Sequence, residues 1–166
     1  GIDGKAKMSK SLGNCIYLAE DPKDIKKKVM SMFTDPNHIR IEDPGSLEGN
    51  TVFTYLDAFC NDQHFEEYLP DYKNLDELKE HYQRGGLGDV KVKKFLNNVL
   101  QEELEPIRKR REELQKDIPY VYEVLKKGSE VARETAAQTL HEVRDAMKIN
   151  YFDDMELIRS QAKKYE

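Results

Sequence analysis

Cysteine is scarce in this chain. The 166 residues contain only two, Cys15 and Cys60, which lie far apart and form no CxxC pair. Isolated thiols of this kind indicate free cysteines in a reducing compartment. The four histidines also lack the HxxxH or Cys/His spacing that metal ligands require. The sequence therefore predicts neither a zinc site nor an iron–sulfur cluster.

Long apolar runs and a strong net charge are also missing. No stretch is long enough to span a membrane, and no signal peptide is recognisable. The formal net charge is -5, which argues against a generally basic surface, so any RNA contact has to come from a local patch. These features predict a soluble cytoplasmic protein without a membrane partner. Because the chain begins at Gly1 without an initiator Met, we expect it to be a segment of a longer protein.

Helical periodicity dominates the sequence, and no segment alternates convincingly as a strand would. Charged residues make up 36% and hydrophobic residues 38%, a balance typical of thin helical bundles. The sequence predicts an all-α fold with a loop over 36–49, and a kink or a break in the longest helix at Pro106. Apolar residues expected to be buried in the second helix include Phe59. The predicted helices are 22–34, 50–62, 75–83, 89–116, 119–127, 129–148 and 153–164.

The segment from Lys7 to Ser11 carries the clearest chemistry. Residues 1–15 are rich in Gly, Lys and Ser and have no hydrophobic period, which predicts an exposed loop. Lys7 and Lys10 flank Met8 and Ser9, and a second hydroxyl follows at Ser11. Two ammonium groups and two hydroxyls on one loop suit phosphate oxygens, and Met8 offers an apolar anchor. The alternative is a solvated basic loop without a ligand.

The string KMSKS, continued by Leu12, Gly13 and Asn14, resembles the signature of class I aminoacyl-tRNA synthetases. The resemblance implies that the loop binds the phosphates of ATP, which is accompanied by Mg²⁺. Lys7 and Lys10 would be the catalytic, charge-bearing groups, because they meet negative charge that develops on pyrophosphate. Met8, Ser9 and Ser11 would complete the ATP contact.

Four later segments resemble tryptophanyl-tRNA synthetases in composition, order and spacing. They are 29–36, 49–56, 85–94 and 105–111. The resemblance implies that 1–20 ends a catalytic domain, that 21–150 forms a helical anticodon-binding domain, and that 151–166 is a tail, possibly helical. It also implies L-tryptophan, ATP and tRNA(Trp) as substrates, and a homodimer formed through the catalytic domain.

The second ATP signature of these enzymes, an HxGH-type motif, is absent from the 166 residues. We therefore expect the full-length protein to be an enzyme and this chain alone to be inactive. Two alternatives stay open at this point. The chain resembles tyrosyl-tRNA synthetases in its loop and general plan, and a free-standing helical RNA-binding module without catalysis is also compatible with the helices.

The predicted RNA-binding residues lie on the long helix. Lys94, Gln101 and Arg108 are seven residues apart, and Lys91 precedes them on the same polar stripe. Cations and amides in this arrangement can reach phosphates and base edges, although a merely solvated face is the alternative. Arg111 falls on the apolar stripe instead, so we expect it to be partly buried and structural.

Overall fold

The computed structural model describes residues 1–165. Within that range it contains helices and no strand, which confirms the all-α prediction. The helices divide between two compact units, Gly1–Glu113 and Leu114–Glu166. The helices are α1 (Pro22–Met30), α2 (Thr51–Phe59), α3 (Asp62–Tyr68), α4 (Leu75–Arg84), α5 (Asp89–Gln115), α6 (Ile118–Ala146) and α7 (Met155–Ala162).

Side-chain caps explain several of the helix starts. Asp21 accepts a hydrogen bond from the Lys23 amide at the start of α1, and Asn50 accepts one from the Val52 amide at the start of α2. Asn61 caps α3, a helix that the sequence analysis did not predict, since it placed no helix between about 62 and 75. Such caps satisfy amide groups that have no partner within the helix, and each stabilises it by about 1 kcal/mol.

Two of the sequence predictions about helices are wrong, and of the kink or break expected at Pro106, the break does not occur. Phe59 is 41% exposed rather than buried, because α2 ends at this residue. The helix α5 continues through Pro106 without a break, since Pro106 lies in an exposed part of the helix where water can reach the carbonyl left unpaired. The two predicted helices around Gly128 are the single helix α6, because one glycine weakens a helix by only about 1 kcal/mol.

The first unit has a continuous apolar core. Each of its helices contributes, and Ile2 and Ile16 from the segment before α1 pack against it. The predicted loop segment is therefore attached to the helices on both sides of its lysines. Fully buried side chains include Ile25, Phe53, Leu56, Phe65, Leu78, Tyr82, Phe95 and Leu96.

The last buried residue of α5 is Leu104, and beyond it the helix is exposed. Arg111 is therefore exposed and not partly buried, which corrects the prediction made from its position on the apolar stripe. The second unit, taken by itself, has no buried residue among those described, although α6 carries apolar side chains such as Leu125 and Val131.

A polar network joins the loop over 36–49 to the start of α5. The Asp89 carboxylate accepts hydrogen bonds from the hydroxyls of Tyr82 at 2.7 Å and Thr34 at 2.9 Å. Nδ1 of His38 lies 3.2 Å from the same carboxylate. The amide of Asn50 donates to the Tyr82 hydroxyl at 3.2 Å. This loop is consequently an ordered part of the first unit.

Asp35 should contribute to the order of that loop in a pH-dependent way. Its carboxylate accepts hydrogen bonds from the amides of Asn37 and Ser46, each at 2.8 Å, and they hold the pKa of Asp35 below the ordinary 3.8. Because the folded-state pKa is lowered, this stabilisation is present above pH 3.8 and is lost as the pH falls through the folded-state pKa. We expect an NMR titration of the Asp35 carboxyl carbon to give a midpoint below 3.8; a midpoint above it would contradict the two hydrogen bonds.

Candidate functional site

Asn14 holds in place the lysine loop, which is the segment 1–15 that contains the KMSKS string. It is 5% exposed, and its Oδ1 accepts a hydrogen bond from the Ser9 amide at 2.8 Å. Its Nδ2 donates to Asp3 at 3.2 Å and to the Lys7 carbonyl at 3.4 Å. One buried side chain therefore fixes the backbone at two positions inside the KMSKS string. Sequence reasoning included Asn14 in the signature but assigned it no role.

The start of the loop is fixed by backbone contacts. The Ile2 amide donates to the Asn14 carbonyl, and the Phe33 amide donates to the Ile2 carbonyl, both at 2.9 Å. Gly4 has a positive φ of 64°, and a Cβ there would lie 2.6 Å from the Phe33 ring. A side chain at this position would strain the backbone and collide with Phe33, so glycine is required.

The two predicted catalytic lysines are exposed. In the part of the chain that the structure describes, neither Lys7 nor Lys10 makes a side-chain hydrogen bond or an ion pair. The hydroxyls of Ser9 and Ser11 lie 2.9 Å apart and form a hydrogen bond to each other. The loop therefore presents ammonium groups and hydroxyls to solvent on a backbone that is already held in place.

Met8 lies over an apolar groove. Its sulfur accepts a hydrogen bond from the Tyr55 hydroxyl at 3.4 Å, and the side chain remains 51% exposed. The groove has a volume of about 360 Å³. The contact with Tyr55 is a direct link between the loop and α2, consistent with an apolar anchor. The groove is also lined by Ile16, Leu18, Ala58, Phe59, Leu100 and Leu104.

The four predicted RNA-binding residues do not share one environment. Lys91 donates to Asp71 at 2.8 Å, a hydrogen bond that raises the pKa of Lys91, and its ammonium lies 5.4 Å from the centre of the Tyr72 ring. Lys94 is exposed, and no partner of its side chain occurs among residues 1–165. Lys91 and Lys94 line the same cleft at the start of α5.

Gln101 and Arg108 form hydrogen bonds within the first unit. Gln101 donates to the Pro22 carbonyl at 2.9 Å, which links α5 to the start of α1. The Arg108 guanidinium donates to the Gln101 carbonyl at 3.2 Å and to its side chain at 3.1 Å. Glu102 and Glu105 lie beside them. These surroundings are less suited to a phosphate than those of Lys94.

No cluster of three or more His, Cys, Asp or Glu side chains among residues 1–165 is arranged to hold a metal ion. None of the helices in that range has the length and apolar character needed to cross a bilayer.

Comparison with known proteins identifies the relatives of this chain. The model of the family described as tRNA synthetases class I (W and Y) matches residues 1–105. A tryptophan–tRNA ligase of Clostridium longisporum is 64% identical over 155 residues, covering 93% of this chain and 43% of that protein. A tryptophan–tRNA ligase of Streptococcus agalactiae serotype V is 57% identical over 152 residues, covering 92% and 42%.

A solved structure agrees with these relatives. The tryptophanyl-tRNA synthetase of Campylobacter jejuni complexed with ADP and tryptophan aligns with a TM-score of 0.65 and 28% identity, over 89% of this chain and 42% of that one. The chain thus spans less than half the length of the relatives it matches. Since the family model covers more than half of the 166 residues and carries the lysine loop, the chain belongs to the class I tRNA synthetases of the tryptophan and tyrosine type.

Proposed function

We propose that the protein containing this chain is a tryptophan–tRNA ligase. It activates L-tryptophan with ATP and transfers it to tRNA(Trp). This chain supplies the phosphate-binding loop, and its helical part meets the anticodon arm of the tRNA. The observation that carries the proposal is a pair of lysines, Lys7 and Lys10, whose side chains have no partner among residues 1–165, on a loop that Asn14 holds in place. Its relatives at 57% and 64% identity are named tryptophan–tRNA ligases.

The chemistry follows from charge. When the tryptophan carboxylate attacks the α-phosphorus of ATP, the bond to the bridging oxygen breaks and negative charge collects on the leaving pyrophosphate. Lys7 and Lys10 face that charge, so they stabilise the transition state more than the bound ATP. Because Asn14 fixes the backbone beforehand, little reorganisation accompanies the reaction. The hydroxyls of Ser9 and Ser11 add hydrogen bonds to phosphate oxygens.

The loop does not fit a resident magnesium ion. Its exposed groups are ammonium and hydroxyl groups, whereas Mg²⁺ prefers carboxylate and phosphate oxygens. The Asp3 carboxylate next to the loop is already bonded to Asn14. In this proposal Mg²⁺ enters on the ATP phosphates, and no step depends on a ligand from this chain. The homodimer remains a prediction from the family resemblance, and the cytoplasmic location remains a prediction from the sequence alone.

A charging assay tests the proposal. The full-length protein is incubated with ATP, Mg²⁺, tRNA(Trp) and radiolabelled tryptophan, with tyrosine and tRNA(Tyr) in a parallel reaction. We expect labelled tryptophanyl-tRNA and no tyrosyl-tRNA. Charging with tyrosine alone would favour the second member of the family, and charging with neither would favour a helical RNA-binding module without catalysis.

Asn14 provides a test of how the loop is held. The hydrogen bond from the Ser9 amide should contribute about 1 kcal/mol, so Asn14→Ala should speed exchange of the Ser9 amide hydrogen by about fivefold in the 166-residue chain. In the full-length enzyme the same change should lower kcat for activation and leave the KM for tryptophan nearly unchanged. Asn37→Ala is the matched control, because the Asn37 side chain is exposed. Unaltered exchange at Ser9 would contradict the positioning role.

A further inference from the structure

Met8 lies between the two lysines of the KMSKS string and connects the string to a helix. The Tyr55 hydroxyl on α2 donates a hydrogen bond to the Met8 sulfur at 3.4 Å. Within residues 1–165, the side chains of Lys7 and Lys10 have no such partner. Lys7 directly precedes Met8, and Lys10 follows it by two residues. A displacement of Met8 therefore also moves the backbone that carries both ammonium groups.

Tyr55 occupies a fixed position on α2. Its ring packs against the core of the first unit and lies 6.2 Å from the Phe59 ring. The helix is held in that core by the buried side chains of Val52, Phe53 and Leu56. Burial raises the pKa of Tyr55 above its ordinary 10.0, so the hydroxyl keeps its proton at neutral pH and can donate it to a hydrogen bond. The hydroxyl is therefore a lasting donor at a defined place.

The apolar groove beside Tyr55 suits the side chain of Met8. Leu100 and Leu104 of α5, which are 2% and 5% exposed, line it together with Ala58 of α2. Methionine is unbranched and flexible, so it adapts to an irregular groove, and its sulfur is a weak hydrogen-bond acceptor. Leucine would fill the same space without accepting a hydrogen bond from Tyr55. The site thus uses both properties of methionine.

The lysine loop is consequently attached at two places. Asn14 holds its backbone at Lys7 and Ser9. Tyr55 and the groove hold the Met8 side chain, which lies between those two positions. A hydrogen bond to sulfur contributes little to folding, but accurate placement of a catalytic group has a larger effect on rate. A displacement of about 1 Å can slow a reaction by about 100-fold.

We propose that Tyr55 is a positioning residue for tryptophan activation. Its hydroxyl holds Met8 at the groove and thereby sets where Lys7 and Lys10 meet the phosphates of ATP. Tyr55 acts through Met8 and not through a contact with ATP. The inference rests on the proposed function and adds to it a residue outside the KMSKS string. The competing explanation is that Tyr55 and Met8 contribute separately to the packing of the groove.

A double-mutant cycle in the full-length protein tests the inference. Tyr55→Phe removes the donor and keeps the ring, whereas Met8→Leu removes the acceptor and keeps an apolar side chain. Each should lower kcat for tryptophan-dependent ATP–pyrophosphate exchange by about threefold to fivefold, the effect of one net hydrogen bond, because Asn14 still holds the backbone. The KM for tryptophan should not change. The double variant should be no slower than either single variant, since both lose the same contact.

Tyr122→Phe is the matched control, because Tyr122 is a tyrosine of α6 that is 70% exposed. It should leave kcat unchanged. A double variant slower by about tenfold to 25-fold, the product of the two single effects, would mean that Tyr55 and Met8 act independently and would overturn the inference. Unchanged exchange in the Tyr55→Phe variant would overturn it as well.

The NMR signal of the Met8 methyl group provides a readout that does not depend on activity. In full-length protein labelled at the methionine methyl carbons and free of substrates, Tyr55→Phe should shift this signal, and Tyr122→Phe should not. A signal that Tyr55→Phe leaves in place would contradict the contact. A normal charging rate with either contrary result would refute the role of Tyr55 and leave the proposed function standing. Absence of charging by the unaltered protein would instead overturn the proposed function.

Discussion

Lys10→Ala in the full-length enzyme should lower the rate of tryptophan activation by about 100-fold to 1000-fold, the usual effect of removing one preorganised donor from developing negative charge. The KM for tryptophan should change little, because Lys10 meets the leaving pyrophosphate and not the amino acid. The measurement is tryptophan-dependent ATP–pyrophosphate exchange, which requires no tRNA. The exposed position of Lys10 means that the substitution should not affect folding.

Lys5→Ala is the matched control for that experiment. Lys5 is an exposed lysine on the same loop, outside the KMSKS string, and its backbone amide donates a hydrogen bond to Asp3, whereas its side chain has no partner within the described residues 1–165. Its removal should leave exchange within about twofold of normal, as is usual for surface substitutions. A rise in the KM for tryptophan with an unchanged rate would contradict the phosphate role of Lys10. An equal loss of exchange rate in the Lys5 and Lys10 variants would mean that Lys10 acts only through the general positive charge of the loop.

Phe95→Ala should reduce the free energy of unfolding by about 3–5 kcal/mol. The Phe95 ring is 2% exposed and packs 4.7 Å from the Phe65 ring, at the centre of the first unit. Its removal would lose burial and leave a cavity between α3 and α5. Urea denaturation of the 166-residue chain, followed by circular dichroism, measures the effect.

A large apolar residue of the second unit supplies the comparison. Leu125 on α6 is 60% exposed, so Leu125→Ala should change the free energy of unfolding by only about 0.5 kcal/mol. Both substitutions remove a large apolar side chain, so a difference in their effects on the free energy of unfolding reports whether that side chain is buried in a core. Similar losses in the two variants would contradict the exposure that the structure assigns to α6.

The helices were predictable where apolar residues repeat and caps are local. The start of α1 at Asp21 and Pro22 and the extent of α5 follow from nearby residues. The start of α3 could not be predicted in this way. It depends on a capping box, in which the Asn61 side chain accepts hydrogen bonds from two backbone amides and the His64 ring accepts one from the Asn61 amide. Helical periodicity also could not predict that Arg111 is exposed. That exposure depends on where the core of the first unit ends along α5, which is a tertiary property.

In the candidate site, too, the features set by neighbouring residues were predictable and those set by tertiary contacts were not. A short string identifies Lys7 and Lys10 because their chemistry and spacing are local. Asn14 acts through contacts seven and eleven residues away, so its role emerges only from the folded loop. The cleft at the start of α5 brings Ile41 together with Lys94, residues that are far apart in the chain. Helical spacing alone grouped Lys94 with Gln101 instead.

The most direct test of the account is a crystal structure of the full-length protein with tryptophan and a non-hydrolysable ATP analogue. The account predicts that Nζ of Lys10 lies at a hydrogen-bond distance of roughly 2.7–3.2 Å from an oxygen of the β- or γ-phosphate. It also predicts that Asn14 still holds the Ser9 amide. A structure in which the phosphates are bound entirely by other segments, with the Lys7 and Lys10 ammonium groups in solvent, would contradict the account.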